Sequence, residues 1–181
     1  MPARRSARFV LRDATAAWHE RVDAVFSHPD LADRDAYGRF LSAQAAAHLP
    51  VEQALEIGGI GEVLADWPDR RRADLIRADL AALGLSLPPL EPAPPLAGVP
   101  ALLGAAYVLE GSRLGGALLA RSVADGLPVS FMSAARPAAW RDLVAILDAA
   151  LLTREDNAAA ISAACGVFAL FERSGRRMLK V

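Results

Sequence analysis

The chain has 181 residues, 54% of them hydrophobic and only 6% aromatic, so one aliphatic core is expected and intrinsic disorder is excluded. With 20 basic residues against 21 acidic ones, the net charge is −1, which argues against a broad nucleic-acid-binding surface. The single cysteine, Cys165, rules out an internal disulfide and a cysteine-based zinc site, and fits a reduced, cytoplasmic setting.

Residues 1–8 are arginine-rich, lead into no apolar signal segment and are expected to be flexible. Leu11, Ala14, Trp18, Val22, Val25 and Phe26 recur at three- and four-residue steps, which predicts an amphipathic helix over 9–26. Residues 27–30 end it. Asp33 is a natural N-cap for a second helix carrying Tyr37, Phe40, Leu41, Gln44, Ala45 and His48. Pro50 kinks or stops that helix, and residues 51–57 continue after a kink. Gly58, Gly59 and Gly61 mark a turn. A short helix over 63–67 follows. Another starts at Pro68 and runs to Leu83, with Gly84 as its C-terminal cap. Residues 85–100 hold half of the chain's 12 prolines and form an extended connection across one end of the domain. A long helix over 101–125, an irregular piece over 129–133 and helices over 137–152 and 155–173 complete the chain. No alternating strand pattern and no repeat at solenoid spacing is visible. The longest apolar stretch, 96–109, is broken by Pro100 and is too short for a membrane span. The class is all-α, a single domain over 1–181.

Three histidines are present. His28 lies in a turn and reads as a surface residue. His48 is placed at a helix end, where a histidine interacts with the helix C-terminus. His19 lies mid-helix at the border of the apolar stripe and is either a hydrogen-bonded structural residue or a metal ligand. A second feature is the glycine cluster at Gly111, Gly115 and Gly116, inside a strongly helical stretch. Each glycine weakens a helix by about 1 kcal/mol relative to alanine. Gly111 and Gly115 share one face, with Gly104 a heptad earlier on nearly the same face. That face admits close approach either of another helix or of a planar cofactor.

Together these features resemble a known family. Leu11-Arg12-Asp13-Ala14-Thr15-Ala16-Ala17-Trp18-His19 is similar to the proximal helix of the heme oxygenases. Tyr107 to Gly116, with Glu110-Gly111-Ser112, is similar to the distal helix of their bacterial form. The two motifs come in the right order and at the right interval, and the similarity extends over about 9–173. Looser matches lie at Tyr37 to Leu41, Asp79 to Gly84 and Phe168 to Glu172. The biliverdin-producing proteobacterial group, some of which supply bilin to bacterial phytochromes, resembles the chain most.

The resemblance implies an all-α helical bundle with heme b between a proximal and a distal helix. It implies His19 as the iron ligand, with Asp23 either fixing its ring or simply facing solvent. Gly111, Gly115 and Gly116 would let the distal helix lie close to the heme face. Ser112 stands where animal enzymes carry an aspartate, and would share water organisation with backbone carbonyls and Arg113, unless Arg113 points to solvent. Arg12, Arg141 and Tyr107 would meet the heme propionates; Ala145 stands where another basic residue is familiar. Phe131, Phe168 and Phe171 are core or pocket wall. The implied activity is oxidative opening of heme to biliverdin, CO and ferrous iron, with O2 and a ferredoxin or NAD(P)H-dependent reductase as electron donor. A bacterial phytochrome would be the bilin acceptor; neither nucleic acid nor membrane is a partner. The alternatives are a non-catalytic heme carrier on the same scaffold and a heme-free relative of the fold.

Overall fold

Alanine and leucine carry most of the chain into helix, and the computed structural model describes residues 5–27, 29–134 and 136–179. No strand occurs among the described residues. His28 lies outside them. Helix α1 (Ala7–Phe26) starts two residues before its apolar spacing predicts, because the Asp148 carboxylate accepts the Ala7 N–H at 2.6 Å. Helix α2 (Arg34–Ile57) starts where expected, with Asp33 accepting the Ala36 N–H at 2.7 Å. Pro50 does not stop α2. Its ring removes the donor that the Ala46 carbonyl would otherwise receive, and the Glu91 N–H takes that place at 2.9 Å. The expectation that His48 ends a helix is therefore wrong; it sits in the interior of α2.

Gly59, in the left-handed region at φ 83°, turns the chain into α3 (Ile60–Val63). The helix expected from Pro68 to Leu83 is two: α4 (Trp67–Arg70) and α5 (Ala73–Ala82). The break has a cause. Arg71 is extended, and the Glu52 carboxylate receives the N–H groups of Arg72 and Ala73, so α5 starts anew there. Gly84, at φ 70°, closes it.

Residues 85–97 carry no helix and form a strap along the last helix. Helix α6 (Gly98–Leu119) starts and ends earlier than the predicted 101–125. Pro100 falls in its first turn, where a missing N–H is harmless, and at the other end the chain tightens into a 3-10 turn at Ala120–Ser122. The irregular piece contains one helical turn, α7 (Ser130–Ser133), whose first N–H groups are received by the Asp79 carboxylate at 3.2 and 2.8 Å. Helices α8 (Pro137–Ala150) and α9 (Arg154–Leu179) follow. Helix α9 is the central element, packed against α1, α2 and α6. The strap lies on the side of α9 that carries Gly166, Arg173 and Arg177. There Glu91 pairs with both arginines, and Arg177 donates to the Pro89 carbonyl at 2.8 Å.

Candidate functional site

The cleft that matters is bounded by α1 on one side and α6 on the other. His19 and Asp23 come from α1; Tyr107, Gly111, Ser112, Gly115 and Gly116 come from α6. Phe40, Phe131, Trp140, Phe168 and Phe171 make the rest largely aromatic. The structure thus brings His19 and the glycine face into one space.

The His19 side chain is 62% exposed, and its Nδ1 lies 2.9 Å from Asp23 Oδ2, one turn along the same helix. Phe168 stands edge-on at 5.9 Å between ring centres. With Nδ1 engaged, Nε2 is the nitrogen left for a ligand. Among the described residues no cluster of three or more His, Cys, Asp or Glu could hold a bare metal ion. A single imidazole on an aromatic cleft suits a metal that brings its other ligands with it.

The glycines divide by role. A Cβ at Gly104 would stand 2.7 Å from the Ala160 carbonyl carbon, so this glycine lets α6 cross α9. A Cβ at Gly115 would meet nothing within 4 Å, one at Gly111 only Trp140 at 3.9 Å, and one at Gly116 the Met132 backbone oxygen at 3.4 Å. Helix packing and an open approach therefore occupy successive stretches of one helix face.

Ser112 is already committed. Its Oγ donates to the Leu109 carbonyl at 2.7 Å and accepts from Arg72 Nη2 at 2.9 Å. Arg113 does not line the cleft and does not reach solvent, contrary to both expectations. It is 2% exposed and bonds to the Ala134 carbonyl, the Arg70 carbonyl and the Glu110 carboxylate behind the cleft. Arg12 is exposed, paired with Asp13 at 2.9 Å and lying over the Phe9 ring; neither it nor Arg141 belongs to the cleft wall. Tyr107 does, packed on Trp140 at 5.6 Å. Burial pushes its phenol up, and the nearby charges of Arg8 and Arg12 pull the other way, which locates Arg12 near the Tyr107 end of the cleft.

Sequence reasoning missed Arg72. It lines the cleft although almost wholly buried, over the Phe131 ring at 4.6 Å, and donates to the Leu109 carbonyl at 2.7 Å. Burial and the charge of Arg113 lower its pKa to about 9, which still leaves it cationic at neutral pH. The available signal was the run Arg70-Arg71-Arg72. An extended Arg71 points its two neighbours the same way, into the protein. His48 lies behind this wall, its Nε2 2.8 Å from Glu52 Oε2 and its ring edge-on to Phe131. Burial and the charge of Arg72 hold His48 down to about 4, so the ring is neutral and Nε2–H is the donor. Nδ1 then has no partner among the described residues. Burial alone would raise Glu52, but the bonds from His48, Arg72 and Ala73 outweigh it and bring the carboxyl to about 2.

No family model matches the chain. It is 32% identical over 146 residues to the heme oxygenase of Xanthomonas campestris pv. campestris, a span of 77% of this chain and 88% of that protein. It is 29% identical over 164 residues to the heme oxygenase PigA of Pseudomonas aeruginosa, covering 84% of this chain and 83% of that one. The fold superposes on the NO- and CO-bound heme oxygenase of Neisseria meningitidis with a TM-score of 0.83, at 26% identity over 97% of this chain and 93% of the other. The heme oxygenase of Leptospira interrogans shares the fold, with a TM-score of 0.73 at 18% identity over 96% of this chain and all of the other. With a glycine-faced helix set across an aromatic cleft from an Asp-held histidine, and relatives of this kind along most of its length, the chain belongs to the heme oxygenase family.

Proposed function

We propose that the cleft binds heme b with His19 Nε2 on the iron. We propose further that the enzyme opens heme with O2 to biliverdin, CO and ferrous iron, in the cytoplasm, with electrons from a ferredoxin or an NAD(P)H-dependent reductase. The observation that carries this reading is the pairing of His19, its Nδ1 held by Asp23, with the bare face of Gly111 and Gly115 across one cleft. Bound heme supplies the iron centre at which oxygen is activated. The chain's own residues do the rest.

Asp23 fixes the imidazole tautomer and its direction. Gly111 and Gly115 leave the distal side open, because any side chain there would enter the space a flat ligand needs. Phe40, Phe131, Phe168 and Phe171 exclude water from the flanks. Ser112 has its proton committed to Leu109, so it offers an incoming donor only a lone pair. Tyr107 is at hand for a propionate, Arg12 lies near the Tyr107 end of the cleft, and Arg141 is the other proposed partner, since a guanidinium fork suits a carboxylate. A bacterial phytochrome is the proposed acceptor of the bilin.

Titration with hemin tests the reading. The wild-type protein is expected to give a histidine-ligated Soret band, and ascorbate with oxygen, in the presence of catalase, should then yield bilin. His19→Ala should lose the band; an unchanged spectrum and unchanged turnover would sink the assignment. Binding with bilin formation that catalase abolishes would favour the carrier.

A further inference from the structure

The distal wall of the cleft is set from behind. Glu52, on α2, is 2% exposed and makes no contact with the cleft itself. Its Oε2 receives the Arg72 N–H at 2.8 Å and His48 Nε2–H at 2.8 Å, and its Oε1 receives the Ala73 N–H at 3.0 Å. Helix α5 has no cap from its own N-cap residue, so Glu52 caps it from another helix. That bond also anchors the backbone of Arg72. From this anchor the guanidinium passes over Phe131 and reaches the Leu109 carbonyl and Ser112 Oγ. No carboxylate pairs with Arg72 among the described residues. Its position therefore depends on the backbone anchor at one end and on the Leu109–Ser112 turn at the other. That turn contains Gly111, and Gly115 follows it. A segment so rich in glycine has little helical stiffness of its own.

We infer that Glu52 is a positioning residue: through Arg72 it holds the 109–116 segment of α6 in place over the cleft. The functional half of this inference rests on the proposed heme reading; the mechanical half does not. Gln at position 52 keeps the size but loses the charge, and turns an NH2 group towards at least one donor that the carboxylate now satisfies. The anchor at Arg72 then slackens, and the bond at Leu109 loosens with it.

Hydrogen exchange on the hemin-free protein separates this from a merely local cap. Glu52→Gln is expected to speed exchange of the amides of 110–116 about tenfold or more, the size of one lost charge-assisted hydrogen bond. In an Arg72→Met background the same change should add nothing there. Faster exchange confined to 70–76 would overturn the inference. Should Glu52→Gln fail to fold, Arg72→Lys serves. It leaves the Glu52 cap intact, but its ammonium ends one bond short of Nη2, the single atom that serves both Leu109 and Ser112, so 110–116 should loosen while 70–76 stays protected. Unchanged protection at 110–116 in Arg72→Lys would equally overturn it. In the hemin complex, Glu52→Gln should shift the position of the Soret maximum, which a remote loss of stability does not move. A wild-type protein that takes up no hemin would defeat the heme reading and leave the exchange result standing.

Discussion

His19 and His48 show how neighbours decide what an imidazole does. Both have a carboxylate one turn ahead, Asp23 in one case and Glu52 in the other. Among the described residues, exposed His19 has no partner at its second nitrogen, and neither does buried His48. Sequence spacing distinguished His19 through its place at the edge of an apolar stripe. It misplaced His48, because Pro50 seemed to end a helix whose broken bond a distant residue repairs. The burial of His48 has a measurable effect. Its folded pKa of about 4 lies below the ordinary value of 6.5, so the unfolded chain binds the proton first as pH falls. The stability that depends on a neutral His48 is complete above about pH 6.5 and is lost as pH drops towards 4. The melting temperature of the hemin-free protein should fall across that window, and His48→Gln should flatten this part of the fall. Glu52 acts in a lower window, its contribution being lost from about pH 4.5 downwards.

Among the elements, α6 was the most legible and the most instructive. Its glycines stood out in an alanine-rich helical chain, and they differ by turn of the helix: Gly104 abuts the Ala160 backbone, whereas Gly115 faces open space. One substitution should therefore have opposite effects. Gly104→Ala puts a methyl into the Ala160 backbone and is expected to destabilise the protein by roughly 1–3 kcal/mol or more in urea unfolding. Gly115→Ala meets nothing and should stabilise the hemin-free protein by about 1 kcal/mol, while weakening hemin binding by occupying the open face. Equal effects of the two on stability would refute the division of roles. Three of the boundaries that sequence missed share one cause. Asp148 at α1, Glu52 at α5 and Asp79 at α7 are carboxylates that receive helix N-terminal N–H groups from distant elements. Local patterning cannot register a cap that arrives through tertiary structure.

At the scale of the molecule, the fold class followed from periodicity, whereas the buried ionic cluster did not. Nothing in the sequence singled out Arg70 and Arg72, and Arg113 was expected either beside cleft water or in solvent, since arginine is mostly exposed. They are buried because Glu110, the Asp66 carboxylate and several carbonyls converge on them from elements far apart in sequence. Glu110 is the hinge of this cluster, 3.1 Å from Arg113 and 3.4 Å from Arg70. Among the described residues, Glu110→Ala leaves buried Arg113 without a carboxylate and Arg70 with Asp66 alone. It should lower the unfolding free energy by about 3 kcal/mol or more, as read by chemical denaturation. A loss below about 1 kcal/mol, the worth of an exposed pair, would show that the carbonyls alone hold the arginines.

Helix α9 adds a constraint of a different kind, on timing. It supplies Phe168 and Phe171 to the wall beside His19, and α1 packs along it. Helix α1 therefore waits for α9, which is synthesised long after it. Until residues near 171 have emerged, His19 has no aromatic neighbour from α9, α6 has no Ala160 backbone to cross, and the cleft has no closed side. Contacts this far apart in sequence form late, because the whole intervening chain must be ordered to close them. A nascent chain displays His19 early but has no pocket around it, so the cleft becomes competent only once α9 is in place.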